Sequence, residues 1–221
     1  MHAWLLVNTR SFYYTTPRLE KVPNDDRLAL LPVADLFNHA DVGCDTTFST
    51  ESYTFKADRA YRAGEEVHIS YGGHSNDFLL TEYGFLLTEN RWDAVCLDDV
   101  VLPNLNKEQK DILEEIGYLG KYMLDPGATG CFRTQVAMRM LVGTQGQWRE
   151  FADGEVDDEA SQGEVDLLLM QFLDNFIKKI QQTLEDIRNL NVGQASQREI
   201  LELRWKEIEN MIKQSITDRD G

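Results

Sequence analysis

Three short stretches of the 221-residue chain gather side chains able to bind or transfer groups. In Leu31-Pro-Val-Ala-Asp35-Leu-Phe-Asn38-His39-Ala40 two adjacent polar residues close an apolar segment. The Asn38 carboxamide carries both donors and an acceptor, enough for an amide-like or purine edge, while the same pair could simply satisfy a turn. In Ala63-Gly64-Glu65-Glu66-Val67-His68-Ile69-Ser70-Tyr71-Gly72 a tyrosine ends an expected strand before two glycines. Its phenol can donate or accept a hydrogen bond and, with a lowered pKa, act as a general base; packing as an ordinary core tyrosine is the alternative. In Asp77-Phe-Leu-Leu-Thr-Glu82-Tyr83-Gly84-Phe85 a second tyrosine precedes an aromatic that could stack on a flat ring. Arg10 is the early cation best placed to meet a carboxylate.

These residues need elements to hold them. Up to about Pro103 the chain alternates short apolar runs with turns. Ala29–Val33 is a brief apolar run, 46–50 and 52–57 read as a hairpin, and Val67–Tyr71 reads as a strand stopped by Gly72-Gly73. Asp77–Gly84 reads as a short helix with a glycine cap. After Pro103 the period becomes helical. Helices are expected over Asn106–Leu119 and Cys131–Val142, with Trp148–Phe151 in the loop beyond and an acidic loop over 153–164. Leu169, Phe172, Leu173, Phe176, Ile180, Leu184 and Ile187 share one helical face, and Leu201, Trp205, Ile208 and Ile212 share another. A turn at Asn191-Val-Gly193 makes the pair an antiparallel hairpin, its stripes packing as core. The expected architecture is α+β, with a β-rich part over 1–103 and an all-α part over 104–221.

Composition narrows the function classes. Hydrophobic residues make up 42% of the chain, enough for a core and against wholesale disorder. The net charge of −16 is shared evenly by the two parts, which excludes counterion-driven nucleic-acid binding. An acidic surface suits basic partners such as Lys-rich protein tails, or serves solubility alone. The three cysteines, Cys44, Cys96 and Cys131, lie far apart, so no thiolate metal site is expected, and the setting reads as intracellular, in cytoplasm or nucleus. No run is long and apolar enough to cross a bilayer, and none has the form of a signal peptide.

Taken in order, Ala34-Asp35-Leu36-Phe37-Asn38-His39, Gly64-Glu65-Glu66-Val67-His68-Ile69-Ser70-Tyr71-Gly72 and Tyr83-Gly84-Phe85 resemble the SET-domain protein methyltransferases. The subgroup is the one resembling the Rubisco large-subunit lysine methyltransferase. Cys131-Phe-Arg133-Thr-Gln-Val136-Ala137-Met-Arg139 and Leu203-Arg204-Trp205-Lys-Glu-Ile208 resemble its helical C-terminal, substrate-binding domain. The resemblance implies transfer of a methyl group from S-adenosylmethionine to a protein lysine. Tyr71 takes the methyl-transfer position. Arg10, Asn38, His39 and Phe85 take cofactor-binding positions, and Asp35 and Tyr83 take positions in the substrate pocket. It also implies that Tyr71 and Asn38 line one pocket, while the net charge of −16 suits a protein substrate that carries a basic segment.

Two departures shape the expectation. Ala40 stands where many relatives have Ser, and the chain holds no Gly-x-Gly, the family's cradle for the methionine end of the cofactor. A truncated form or fragment with weak S-adenosylmethionine binding is therefore expected. A protein-histidine methyltransferase of the same fold, or a non-catalytic remnant serving as a protein-interaction module, stands as the alternative.

Overall fold

The computed structural model describes residues 2–125, 130–154 and 159–220. The chain forms two compact units, Met1–Phe85 and Leu86–Gly221.

The first unit is built of small sheets. Helix α1 (His2–Arg10) runs into strand β1 (Ser11–Tyr13), which pairs antiparallel with β2 (Leu28–Leu30). A 3-10 turn at Ala34–Leu36 leads into the long β3 (Asn38–Phe48). β3 forms a hairpin with β4 (Tyr53–Lys56), pairing Asp45 with Lys56 and Phe48 with Tyr53. The turn is closed by the Ser49 N–H donating to the Ser52 carbonyl at 2.8 Å. The other end of β3 takes β5 (His68–Ile69) as a parallel partner, matching Asn38 with His68 and His39 with Ile69, so the sheet order is β4-β3-β5. β5 is shorter than the expected Val67–Tyr71 because the ladder with β3 covers only these two residues. Helix α2 (Asn76–Phe78) is capped by the Ser75 hydroxyl and continues as a π-turn over Leu79–Tyr83. It stops at Gly84, whose φ of +83° is the left-handed conformation that favours glycine as a C-terminal cap.

The second unit is mostly helical. It comprises β6 (Val95–Cys96), α3 (Asp98–Val101), α4 (Lys107–Glu115), β7 (Met123–Leu124), α5 (Phe132–Val142), α6 (Gln145–Ala152), α7 (Glu159–Asn189) and α8 (Ala195–Asp220). β6 and β7 pair antiparallel. This unit starts upstream of Pro103, because Val95, Leu97 and Val101 already belong to its core. Asn106 opens α4 in a reciprocal capping box with Gln109, whose side chain also reaches the Met140 carbonyl of α5 at 3.2 Å. α4 ends at Glu115 rather than Leu119, where Gly117 turns the chain at φ +78°.

Two expectations change here. Trp148 and Phe151 sit inside helix α6, opened by its own Thr144–Gln147 capping box, rather than in a loop. Of the expected acidic loop over 153–164, residues 155–158 lie outside the described residues, and Glu159–Glu164 form the first turns of α7. Within these turns Gln162 is tied to the buried Arg139 at 2.7 Å.

The α7 stripe from Leu169 to Ile187 is buried throughout, as are Ile208 and Ile212 on α8. Leu201 is exposed instead, and the buried position on that stretch belongs to Arg204. Its guanidinium meets Asp93 at 2.6 Å with both side chains almost fully buried. Hydrophobic periodicity cannot register such a pair, since its stability comes from a partner 111 positions away.

Candidate active site

Tyr71 follows β5 and is fixed by three local features. Its phenol donates to the Phe37 carbonyl at 2.7 Å, its N–H donates to His39 Nδ1 at 3.0 Å, and its ring lies 5.0 Å from those of His39 and Tyr83. The parallel β3–β5 pairing makes this possible: it sets His39 beside Ile69, two residues before Tyr71. Burial and the neighbouring Tyr83 raise the Tyr71 pKa, and burial with Glu82 raises that of Tyr83. Tyr71 is therefore a neutral phenol at physiological pH. It acts as a hydrogen-bond donor with an oxygen lone pair to offer, and the general-base option open to a tyrosine of lowered pKa does not apply.

A cavity of about 320 Å³ opens beside Tyr71, lined also by Arg10, Asp35, Phe37, Tyr83 and Ser70. Four more aromatics, Phe12, Tyr13, Phe48 and Tyr53, line it together with Thr9, Ser11, Thr46 and Ile69. Phe12 meets Tyr53 edge-on at 5.6 Å, and Phe48 stacks on Tyr53 at 5.8 Å. Sequence reading missed these aromatics. Their signal was present in Phe12-Tyr13-Tyr14 and in Phe48, Tyr53 and Phe55 flanking the hairpin turn. Arg10 meets the carboxylate anticipated for it, but that carboxylate is Asp35 of the same unit, at 3.0 Å. Both contacts to Asp35 use one guanidinium nitrogen, Nη1, so the rest of the fork can address a second acceptor.

The structure separates Asn38 from this cavity. Asn38 is exposed and donates to Glu66 at 2.6 Å, so Asn38 and Tyr71 do not line the common pocket expected of them. The reason is the strand period of two: neighbours on β3 face opposite ways, and His39 is the residue turned toward Tyr71. His39 also approaches Phe85, with ring centroids 5.9 Å apart. Burial lowers the His39 pKa from its ordinary 6.5, outweighing a main-chain hydrogen bond at Ile69 that works the other way. Tyr71, Tyr83, Arg10 and Asp35 thus share the cavity, while His39, packed against Tyr71 and Phe85, and Asn38, bonded to Glu66, are not part of its lining.

Among the described residues no group of three or more His, Cys, Asp or Glu is placed to hold a metal ion, and no helix is long and apolar enough to cross a membrane.

Comparison with known proteins agrees with the sequence resemblance. The chain is 36% identical over 141 residues to ribosomal lysine N-methyltransferase set11 of Schizosaccharomyces pombe, covering 63% of this chain and 35% of that protein. It is 26% identical over 209 residues to ribosomal lysine N-methyltransferase 2 of Saccharomyces cerevisiae, covering 85% of this chain and 43% of that one. The chain thus spans less than half the length of these curated relatives. Its fold is similar to that of a crystal structure of the SET domain of LSMT bound to lysine and AdoHcy. That likeness has a TM-score of 0.51 at 18% identity and covers 96% of this chain and 54% of the other. Residues 93–218 match the ribosomal lysine N-methyltransferase 2 C-terminal domain, and the chain belongs to that family.

Proposed function

We propose that the chain provides the Tyr71 site and the helical domain of an intracellular, S-adenosylmethionine-dependent protein-lysine N-methyltransferase. The observation that carries this reading is the Tyr71 phenol donating at 2.7 Å to the Phe37 carbonyl on the wall of the aromatic cavity. It brings a phenol oxygen and a main-chain carbonyl oxygen to one place, where a methyl group bearing partial positive charge is favoured.

The donor set suits S-adenosylmethionine in part. The half-buried Phe85 and His39 rings offer flat faces and Arg10 can meet the amino-acid carboxylate, whereas the Asn38 carboxamide, able to pair with a purine edge, donates to Glu66 outside the cavity. When bound, the cofactor supplies an electrophilic methyl on a sulfonium. The residues of this chain then orient and desolvate. Tyr71 and Tyr83 line the route of the lysine side chain, and Asp35 holds Arg10 at its edge. The aromatic flank of the cavity disfavours a charged ammonium, so the amine is presented in its neutral form. On this reading Tyr71 is the catalytic residue: its oxygen would orient the amine and the methyl group while the N–C bond forms and the S–C bond breaks to leave a thioether, and it takes no proton itself. The substrate is a protein whose target lysine lies in a basic segment, matching the net charge of −16, and the names of the relatives point to ribosomal proteins.

Calorimetric titration of S-adenosylmethionine into residues 1–221 tests the cofactor assignment. Weak binding that Phe85→Ala removes is the expected result, and heat that Phe85→Ala leaves intact overturns it. Labelled methyl transfer to a ribosomal protein preparation tests the activity. Methyllysine formed by the chain and lost in Tyr71→Phe is expected; methylhistidine instead would reassign the acceptor. Removing one hydroxyl costs about 1 kcal/mol of stability, so Tyr71→Phe should remain folded.

A further inference from the structure

The Tyr71 main chain is held from both sides by histidine. On one side its N–H donates to His39 Nδ1 at 3.0 Å; on the other its carbonyl lies 3.0 Å from His74 Nε2. Each contact fixes a protonation pattern. An N–H can only donate, so His39 Nδ1 carries no hydrogen. A carbonyl can only accept, so His74 Nε2 carries one. Surrounding packing holds both rings in place. His39 lies against Tyr71 and Phe85, and His74 stacks on Phe78 with centroids 4.2 Å apart. The intervening Gly72 has φ +123°, and a Cβ there would lie 2.8 Å from His74 Nε2. Glycine is needed at that position both for its conformation and for the approach of the imidazole.

We propose that His39 and His74 are positioning residues that clamp the two ends of the Tyr71 peptide, and that only neutral His39 closes the clamp. The proposal deepens the methyltransferase reading and rests on it for the use made of Tyr71, but not for the clamp itself. The two ends respond differently to acid. Protonated His39 has a hydrogen on Nδ1, which would face the Tyr71 N–H as a second donor, and the contact is lost. Protonated His74 keeps its Nε2–H, and that contact survives. His74 and His68 face His39 and oppose its positive charge, whereas Asp41 favours it. Glu66 lies 3.5 Å from His68. Burial is the largest influence and keeps His39 neutral at physiological pH. A fall in pH would therefore release the N–H end and loosen the main chain that carries the Tyr71 ring, while the His74 contact and the fold persist. In the enzyme this reads as loss of methyl-transfer rate on the acid side.

The clamp can be read without cofactor or methyl acceptor, so its failure and that of the methyltransferase reading are separable. Long-range proton–nitrogen correlation spectra of nitrogen-15-labelled residues 1–221 report each imidazole tautomer. At neutral pH His39 should be the Nε2–H tautomer. Lowering the pH from about 8 to about 5 should move the His39 and Tyr71 amide resonances together, with a midpoint below the ordinary histidine value. His39→Asn keeps an acceptor oxygen but cannot titrate, so the pH-dependent movement of the Tyr71 amide should vanish. His74→Gln, which keeps a donor, should preserve the Tyr71 and Gly72 resonances, and His74→Leu should shift them even if His39→Asn does not fold. An Nδ1–H tautomer at His39, or a Tyr71 amide indifferent to the His39 titration, would overturn the proposal. So would the same titration persisting in His39→Asn.

Discussion

The two units reach their structures by different means. In Leu86–Gly221 the buried apolar residues form one continuous core running from Val95 through Leu113, Tyr122 and Val136 to Leu173, Ile180 and Ile212. In Met1–Phe85 the buried apolar residues are few, Ala34, Cys44, Ile69 and Leu79, while Trp4, Val7, Leu30, Val33, Leu36 and Val42 are exposed. That unit is held by aromatic contacts, short ladders and side-chain hydrogen bonds to main chain, and it carries the candidate chemistry. A core of regular stripes supplies stability from within the helices. A site of converging polar groups depends on chain segments far apart in sequence, each making only a few contacts. The contrast predicts where substitutions hurt most.

The largest effect should come from Arg204→Ala. It leaves Asp93 buried without its guanidinium partner, a loss of about 3–5 kcal/mol for a buried pair broken on one side. Urea unfolding followed by helical circular dichroism measures it. Leu30→Ser, on the exposed β2 of the other unit, should stay within about 0.5 kcal/mol. Equal losses for the two variants would remove the distinction between the units.

Limited proteolysis sharpens the same contrast. Few buried apolar contacts mean low local free energies of opening, so cleavage should fall first within 11–85 and leave a fragment containing α7 and α8. Early cutting inside 165–187 with the first unit intact would reverse the ranking.

How far the sequence revealed this arrangement follows from the same difference. The α7 stripe and the Asn106 start of α4 were legible because both rest on local periods and caps. Arg204 was not, because its burial is settled by Asp93 in a distant segment. The three motif stretches were visible and the structure does bring Tyr71, Tyr83, Arg10 and Asp35 to one cavity. The division of labour between Asn38 and His39 was not foreseen, although strand alternation alone places the two on opposite faces. His74 gave no signal in sequence, since its role depends on the turn at Gly72 bringing its ring back onto the Tyr71 carbonyl.

A smaller effect concerns pH and belongs to the first unit. The His39 pKa is lowered on folding, so between its folded value and the ordinary 6.5 the unfolded chain binds more protons. The contribution is complete above about 6.5 and declines as pH falls through the folded value. Stability of the first unit should therefore drop on acidification below that point more in the parent chain than in His39→Asn. Tyr71 amide exchange, compared across that range, reads it locally.

The smallest effect should come from the surface of the helical unit. Lys213 pairs with Glu209 at 2.7 Å one turn earlier on α8, and this contact lowers the Glu209 pKa. The lysine side chain is half exposed, so solvent and salt screen the attraction, and holding two long side chains together has an entropic cost. Pairs of this spacing contribute about 0.3–0.5 kcal/mol. Lys213→Ala should therefore shift the urea midpoint of the helical unit only slightly, and the shift should shrink further as salt is raised. The buried Arg204–Asp93 pair, shielded from ions, should keep its contribution under the same salt series. If the two pairs lost strength in parallel, Arg204 would be behaving as a surface charge, and the ranking of the units built on its burial would fail.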